Sequence, residues 1–345
     1  MAKKTMNRTL IIAEAGVNHN GDFDTALKLI DEAAAANADF IKFQTFKTEN
    51  IVSKNAKQAD YQIKNNDNED SSQSSMLKKL EIPIEWYPML KSHAEKSNIQ
   101  FLSTAFDLDS LSLLNDLNPK LYKIPSGEIT NLPYLEKIAS YNKPIVLSTG
   151  MSTMDEVVAS VEILIKKGIS KEQITVLHCN TEYPTPMKDV NLKAMLTIQK
   201  TLNVNVGYSD HTLGCEVAIA AVAMGARIIE KHFTLNRKMK GPDHKASLEP
   251  SELREMVKAI RNIEFALSGN GSKQPSPSEL KNLEHARKSL HLTRNMLKGE
   301  IIQRKDIIAM RPGNGISPME IYDVIGKKLN IDLKEQDQLT WKNID

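Results

Sequence analysis

A chain of 345 residues in which 45 basic side chains are nearly matched by 43 acidic ones carries a net charge of only +2. No bulk field therefore draws it to nucleic acid or an anionic membrane, and any anion site has to be local. With 41% hydrophobic and 26% charged residues it reads as a soluble globular protein, long enough for one large domain and a small one.

The start, MAKKTMNRTLIIAEAG, has a basic flank, but Glu14 interrupts its apolar run almost at once, which argues against a cleavable signal peptide. Short apolar runs then recur: LIIAEAG (10–16), FIKFQTF (40–46), IQFLSTAF (99–106), LYKIPSG (121–127), PIVLSTG (144–150), ITVLHCNT (174–181), VNVGYSDH (204–211) and RIIEKHFT (227–234). Between them lie segments such as DTALKLIDEAAAANA (24–38) and TMDEVVASVEILIKKG (153–168), apolar at helical spacing and ending in Asn or Gly. Strand then helix, eight times over, predicts an α/β fold with a parallel sheet closed into a (β/α)8 TIM barrel. An open doubly wound sheet is the alternative, but AEAGVNHNG after the first run does not form a GxGxxG turn. No run approaches the ~20 apolar residues of a membrane span. Two cysteines, Cys179 and Cys215, make no disulfide framework and suit a reduced cytoplasm.

Each run begins apolar and turns polar at its carboxyl end, where a barrel builds its active site. Lys42, Lys123, Thr104, Ser126 and Ser148 offer ammonium and hydroxyl donors there, and SGE and STG add backbone N–H groups, together suited to a phosphate or a phosphate plus a carboxylate. His211 and His232 end the seventh and eighth runs, so two imidazoles from adjacent strands can share a divalent ion with open positions; a hydrogen-bonded pair of barrel histidines is the competing reading. Alternation puts Glu230 and His232 on one strand face and Lys231 on the other, and turns Asp210 away from His211. Glu14, Glu128 and Glu230 are the carboxylates placed to move protons, and Lys42, Lys123 and Lys231 keep a Schiff-base aldolase open, although the histidine pair favours metal-assisted carbonyl activation. The polar stretch 60–82 is far longer than βα loops of ~2–6 residues and reads either as a lid or as a plain insertion. These patterns place the barrel over 1–269, a Gly-, Ser- and Pro-rich linker over 270–284, and a small β-like domain over 285–345.

In order, AEAGVNHNGD, KFQTF, KIPSGE, LSTGM, HCNTEYPTP, GYSDHT, IEKHFT, GPDHKAS and RPGNGISP resemble the bacterial sialic acid (N-acetylneuraminate) synthases, within a nonulosonic acid synthase family that includes legionaminic and pseudaminic acid synthases. The resemblance implies a (β/α)8 barrel followed by an antifreeze-like (SAF) domain, a domain-swapped homodimer, and condensation of phosphoenolpyruvate with an N-acylated aldohexose, with a divalent metal and release of phosphate. It implies Mn²⁺ as the metal, with Mg²⁺ or Co²⁺ as alternatives, held by His211 and His232. It gives Glu14 the attacking water, and makes Lys42, Thr104, Lys123, Ser126 and Ser148 contacts to phosphoenolpyruvate. Gln44, Tyr183, Glu230 and Asp243 match the sugar and metal side, and Arg311 an arginine reaching in from a partner subunit. Two departures stand out. Ala105 replaces a proline that other members carry, and Asn180 precedes Thr181 where some members have Asn at the latter position, which leaves a phosphate contact at Thr181 open. N-acetylmannosamine, giving N-acetylneuraminate, is the first expectation for the sugar. 2,4-Diacetamido-2,4,6-trideoxymannose, as in legionaminic acid synthases, is the alternative, and a non-catalytic sugar-binding barrel is the reading from another class.

Overall fold

The computed structural model describes residues 8–53, 63 and 72–345, which divide into two compact units, 1–268 and 269–345. The first is a parallel barrel of β1 (Leu10–Gly16), β2 (Phe40–Thr45), β3 (Gln100–Ala105), β4 (Tyr122–Ile124), β5 (Ile145–Ser148), β6 (Ile174–Cys179), β7 (Asn205–Asp210) and β8 (Ile228–His232). Strands pair in the order β3-β2-β1-β8-β7-β6-β5-β4, and β3 packs beside β4 across the seam, where no paired register forms among the described residues. The barrel is thus nearly closed.

Helices cover its outside because their apolar residues recur on one face. The helix Phe23–Ala35 buries Ala26, Leu29, Ile30 and Ala33, and begins at Asp22, whose side chain accepts from Thr25 N–H at 2.7 Å. Thr153 and Glu156 cap Met154–Lys166 reciprocally. Asn37, Asn98, Asn118, Asn142 and Asn203 stand just past helix ends in the left-handed region, where Asn is tolerated because its short side chain hydrogen-bonds locally.

Inside the barrel, Ile12, Phe40, Leu102, Leu121, Val146, Leu177 and Ile228 form an apolar plug toward the amino ends of the strands. A plug of this kind shuts one mouth of the lumen and leaves the other as the only place for chemistry. Among the described residues no helix is long and apolar enough to cross a membrane.

The second unit has its own core, including Leu290, Leu292, Ile302, Ile316 and Leu339, around the antiparallel pair β9 (Ser289–Leu292) and β10 (Ile307–Met310). The stretch 270–284, expected to be a linker, instead contributes to a helix, Pro277–Ala286. Its start, SPSE, puts Ser276 at the N-cap, Pro277 at the first helical position and Glu279 three residues on, a complete capping box that the Pro- and Ser-rich composition masked. The expected lid over 60–82 lies mostly outside the described residues; its end forms the helix Gln73–Lys78.

Candidate active site

Side chains two apart on a strand share a face, so the residues two beyond the plug also point into the lumen. They are Glu14, Lys42, Thr104, Lys123, Ser148, Cys179 and Glu230, with Ser209 from β7, and all eight line one cavity of about 640 Å³. Two residues further on, Gln44, Thr181, His211 and His232 form its upper rim, joined by Tyr183. The switch from apolar to polar along each strand is therefore a change of layer within the barrel: a dry plug below, a charged floor above it.

The floor is tightly paired. Lys42 Nζ lies 2.8 Å from Glu14 Oε2 and 3.5 Å from Glu230 Oε2, and donates to Thr104 Oγ1 at 3.0 Å. Lys123 Nζ stands 3.6 Å from Glu230 Oε1, which also accepts from Ser209 Oγ at 3.0 Å. Gln44 donates to Glu14 Oε1 at 3.3 Å. Lys42, Lys123, Glu14 and Glu230 are at most 4% exposed, so each charge needs a partner.

The two carboxyls are driven apart. Burial raises Glu14 to about 7 against the opposing pull of Lys42. Burial pushes Glu230 the same way, but Lys123 and Lys42 outweigh it and hold that carboxyl down at about 2. Burial lowers Lys123, whereas Glu14 and Glu230 overcome burial at Lys42 and raise it. Two ammonium groups thus face one firmly ionised carboxylate and one that is half-protonated near neutrality, which leaves the floor with excess positive charge. Two carboxyls in one site with separated proton affinities is the pattern of an acid–base pair.

Hydroxyl donors extend this floor. Ser148 Oγ is buried with no hydrogen-bond partner among the described residues. Ser126 Oγ accepts from Gly150 N–H at 2.9 Å and sits 3.4 Å from Cys179 Sγ. A Cβ on Gly150 would come within 2.5 Å of Thr181 Cγ2 and 2.9 Å of Ser126 Oγ, so glycine lets that turn lie against both.

At the rim the His211 and His232 rings stand 5.4 Å apart, centroid to centroid, with the Tyr183 ring 4.1 Å from the first and 5.4 Å from the second. Burial holds both histidines neutral, His211 at about 4 and His232 well below its ordinary value. His211 Nδ1 donates to the Asn180 carbonyl, which leaves Nε2 as the nitrogen with the lone pair. His232 Nδ1 is buried without a hydrogen bond among the described residues, 3.8 Å from Asp243 Oδ2. Among the described residues no group of three or more His, Cys, Asp and Glu side chains forms a ready metal cluster. Two neutral imidazoles beside carboxylates nonetheless suit a borderline divalent ion that keeps open positions.

Of the other expected residues, Asp243 lines an adjoining cavity of about 350 Å³ that shares Gln44 and Tyr183 with the first, and burial raises its carboxyl to about 6. Glu128 lines the same annex. Lys231 points away from the lumen, as alternation requires, and pairs with Asp210 at 2.9 Å. Arg311 belongs to the second unit, where its Nε donates to the Ala286 carbonyl. Ser209, Cys179 and Gln73 line the main cavity without having been chosen as site residues. The period-two rule counted from Leu177 of the plug finds Cys179, and counted back from His211 it finds Ser209. Nothing in the sequence singles out Gln73.

Residues 29–273 match the NeuB family and residues 287–345 the SAF domain. The chain is 52% identical to an N,N'-diacetyllegionaminic acid synthase of Campylobacter jejuni over 332 residues, 96% of this chain and 99% of that protein. It is 44% identical to an N,N'-diacetyllegionaminic acid synthase of Legionella pneumophila, over 97% of this chain and 94% of that protein. The crystal structure of a sialic acid synthetase from Leptospira borgpetersenii superposes with a TM-score of 0.71 at 35% identity, covering 82% of this chain and 94% of that one. The chain belongs to the NeuB family of phosphoenolpyruvate-dependent nonulosonic acid synthases, transferases that form a carbon–carbon bond.

Proposed function

We propose that the chain condenses phosphoenolpyruvate with 2,4-diacetamido-2,4,6-trideoxymannose and water to give N,N'-diacetyllegionaminic acid and phosphate. The observation that carries the choice of sugar is the 52% identity, end to end, with a synthase of that name. The sequence alone ranks N-acetylmannosamine first; the comparisons favour its alternative. A non-catalytic barrel has no use for a half-protonated Glu14 beside two buried lysines, and that reading is set aside.

Lys42 and Lys123, with the hydroxyls of Thr104, Ser126 and Ser148, hold the carboxylate and phosphate of phosphoenolpyruvate still. This turns a two-substrate encounter into an oriented one. The methylene carbon of phosphoenolpyruvate attacks the aldehyde carbon of the open-chain sugar, and water adds to the electron-poor carbon left behind. The tetrahedral adduct then expels phosphate by C–O cleavage. Glu14, poised near 7, accepts the proton of that water, a pKa matched to general-base work at neutral pH. Glu230, kept ionised by the two lysines, holds both ammonium groups in place. NeuB membership implies a divalent metal, and His211 Nε2 with His232 are the groups that would hold it, Mn²⁺ being our assignment. Bound there, the ion supplies Lewis acidity to the sugar's carbonyl oxygen. Gln44, Thr181, Tyr183 and Asp243 face the sugar. We assign Arg311 to the sugar in a partner subunit's site, through a domain-swapped homodimer, on the strength of the RPGNG motif.

Phosphate release from phosphoenolpyruvate, followed with each sugar in turn, tests the reading. Higher kcat/KM with the diacetamido sugar than with N-acetylmannosamine is expected. The reverse order would restore N-acetylneuraminate as the product, and no release with either sugar would remove the synthase reading.

A further inference from the structure

We infer that Asp210 and Lys231 are positioning residues, a buried charge pair that fixes the two rim imidazoles relative to each other from outside the lumen. The inference rests on the reading of His211 and His232 as the ion-holding pair.

Both side chains are 0% exposed, on the strand face opposite the cavity. Lys231 Nζ donates to Asp210 Oδ2 at 2.9 Å and to the Thr212 carbonyl at 2.5 Å. The other carboxylate oxygen, Asp210 Oδ1, accepts from Thr212 N–H at 2.9 Å and from Thr212 Oγ1 at 2.7 Å. These four bonds brace the chain on both sides of His211 and tie it to the residue just before His232. Asp210 and Lys231 are also backbone partners, on the last rung of the β7–β8 ladder. His211 lies one residue beyond that rung, where main-chain pairing has stopped.

The remaining ties on His211 come from elsewhere: its ring bonds to the Asn180 carbonyl, its Nε2 lies 3.4 Å from Ser209 Oγ, and its own carbonyl accepts from Thr185 N–H at 2.9 Å. The first and last reach back to the segment after β6, and Ser209 leads to Glu230 on the lumen side. The charge pair is the link to β8 that holds the turn at His211 itself, from the outer strand face, and so relates it to His232.

Stability alone does not account for such a pair. Two charges taken fully out of water cost several kcal/mol each, and apolar residues of similar volume often serve the fold as well or better. What an apolar pair lacks is direction. A carboxylate and an ammonium satisfied by four directed bonds admit one arrangement of the turn, and a two-nitrogen site for an ion tolerates little displacement. Groups behind a metal ligand commonly set its affinity in this way.

The test uses the full chain, stripped of metal and titrated with Mn²⁺ by calorimetry, with unfolding by urea as the check on the fold. In the double variant Asp210→Leu/Lys231→Met, Mn²⁺ affinity should fall about 10- to 100-fold while phosphoenolpyruvate affinity stays within about twofold, because its cradle stands mainly on β2 to β5. His232→Ala is the control. If it loses Mn²⁺ and the folded double variant does not, the positioning role is overturned and the ion site stands. If His232→Ala binds Mn²⁺ like the wild type, the ion reading falls and the inference with it. Should the double variant fail to fold, Thr212→Val decides, since it removes one bond to Asp210 and keeps both charges. A loss of about threefold or more supports the role, and unchanged affinity overturns it.

Discussion

Replacing Glu14 by Gln removes a carboxyl that the fold buries at a cost. Its ordinary value is 4.5 and its value in the barrel is about 7. Between those limits the native state keeps a proton that the unfolded chain has released, so stability falls as pH rises and the loss is complete once pH passes about 7. The full difference is worth about 3 kcal/mol, most of which falls between about pH 5 and about pH 8. Glutamine has no such titration. Urea unfolding of the metal-stripped wild type and Glu14→Gln should therefore show the variant gaining about 2–3 kcal/mol relative to the wild type across that range. The same variant should lose about 10²- to 10⁴-fold in kcat, as expected when a general base is removed. Greater stability with less activity is the signature of a strained functional group. Two stability curves running parallel from pH 5 to pH 8 would mean that Glu14 ionises as an ordinary carboxyl, and would rule out its role as a base poised near neutrality.

Three further outcomes follow from the same geometry. Lys123→Met should weaken phosphoenolpyruvate binding by about 10- to 100-fold in a calorimetric titration, the range for hydrogen bonds to a charged group. Gly150→Ala drives a methyl to 2.5 Å from Thr181 Cγ2 and 2.9 Å from Ser126 Oγ, and should raise the KM for phosphoenolpyruvate while costing about 1–3 kcal/mol of stability by urea unfolding. Arg311→Ala should raise the sugar KM and leave phosphoenolpyruvate affinity unchanged; an unaltered sugar KM would count against its assignment.

The barrel was legible because parallel strands covered by helices are apolar at their plug ends whatever they carry at the other. Ile12 to Glu14, Phe40 to Lys42 and Ile228 to Glu230 repeat one step, from plug to floor, and that step is written in the sequence with a period of two. The same alternation turned Lys231 and Asp210 outward, but that they meet each other is a matter of strand register, which one sequence does not state. Asp243 is harder still. It sits on an irregular segment held back against the first βα loop, where Asn18 Nδ2 donates to the Phe233 carbonyl at 2.9 Å and to Ser247 Oγ at 3.0 Å, and no periodicity announces such a fold-back. The helix Pro277–Ala286 was missed for the opposite reason: its cap is strong, but its Pro and Ser content reads as a linker when composition is weighed ahead of capping.

We assign a divalent ion to His211 and His232, beside a positively charged cradle for an enol phosphate. Anomalous diffraction at the manganese edge, from crystals soaked in Mn²⁺ and phosphoenolpyruvate, tests it most directly. One strong peak is expected between the two imidazoles, bonded to His211 Nε2 and a His232 nitrogen, with phosphoenolpyruvate against Lys42 and Lys123. A peak bound to other side chains, with the two rings packed against protein, would contradict it.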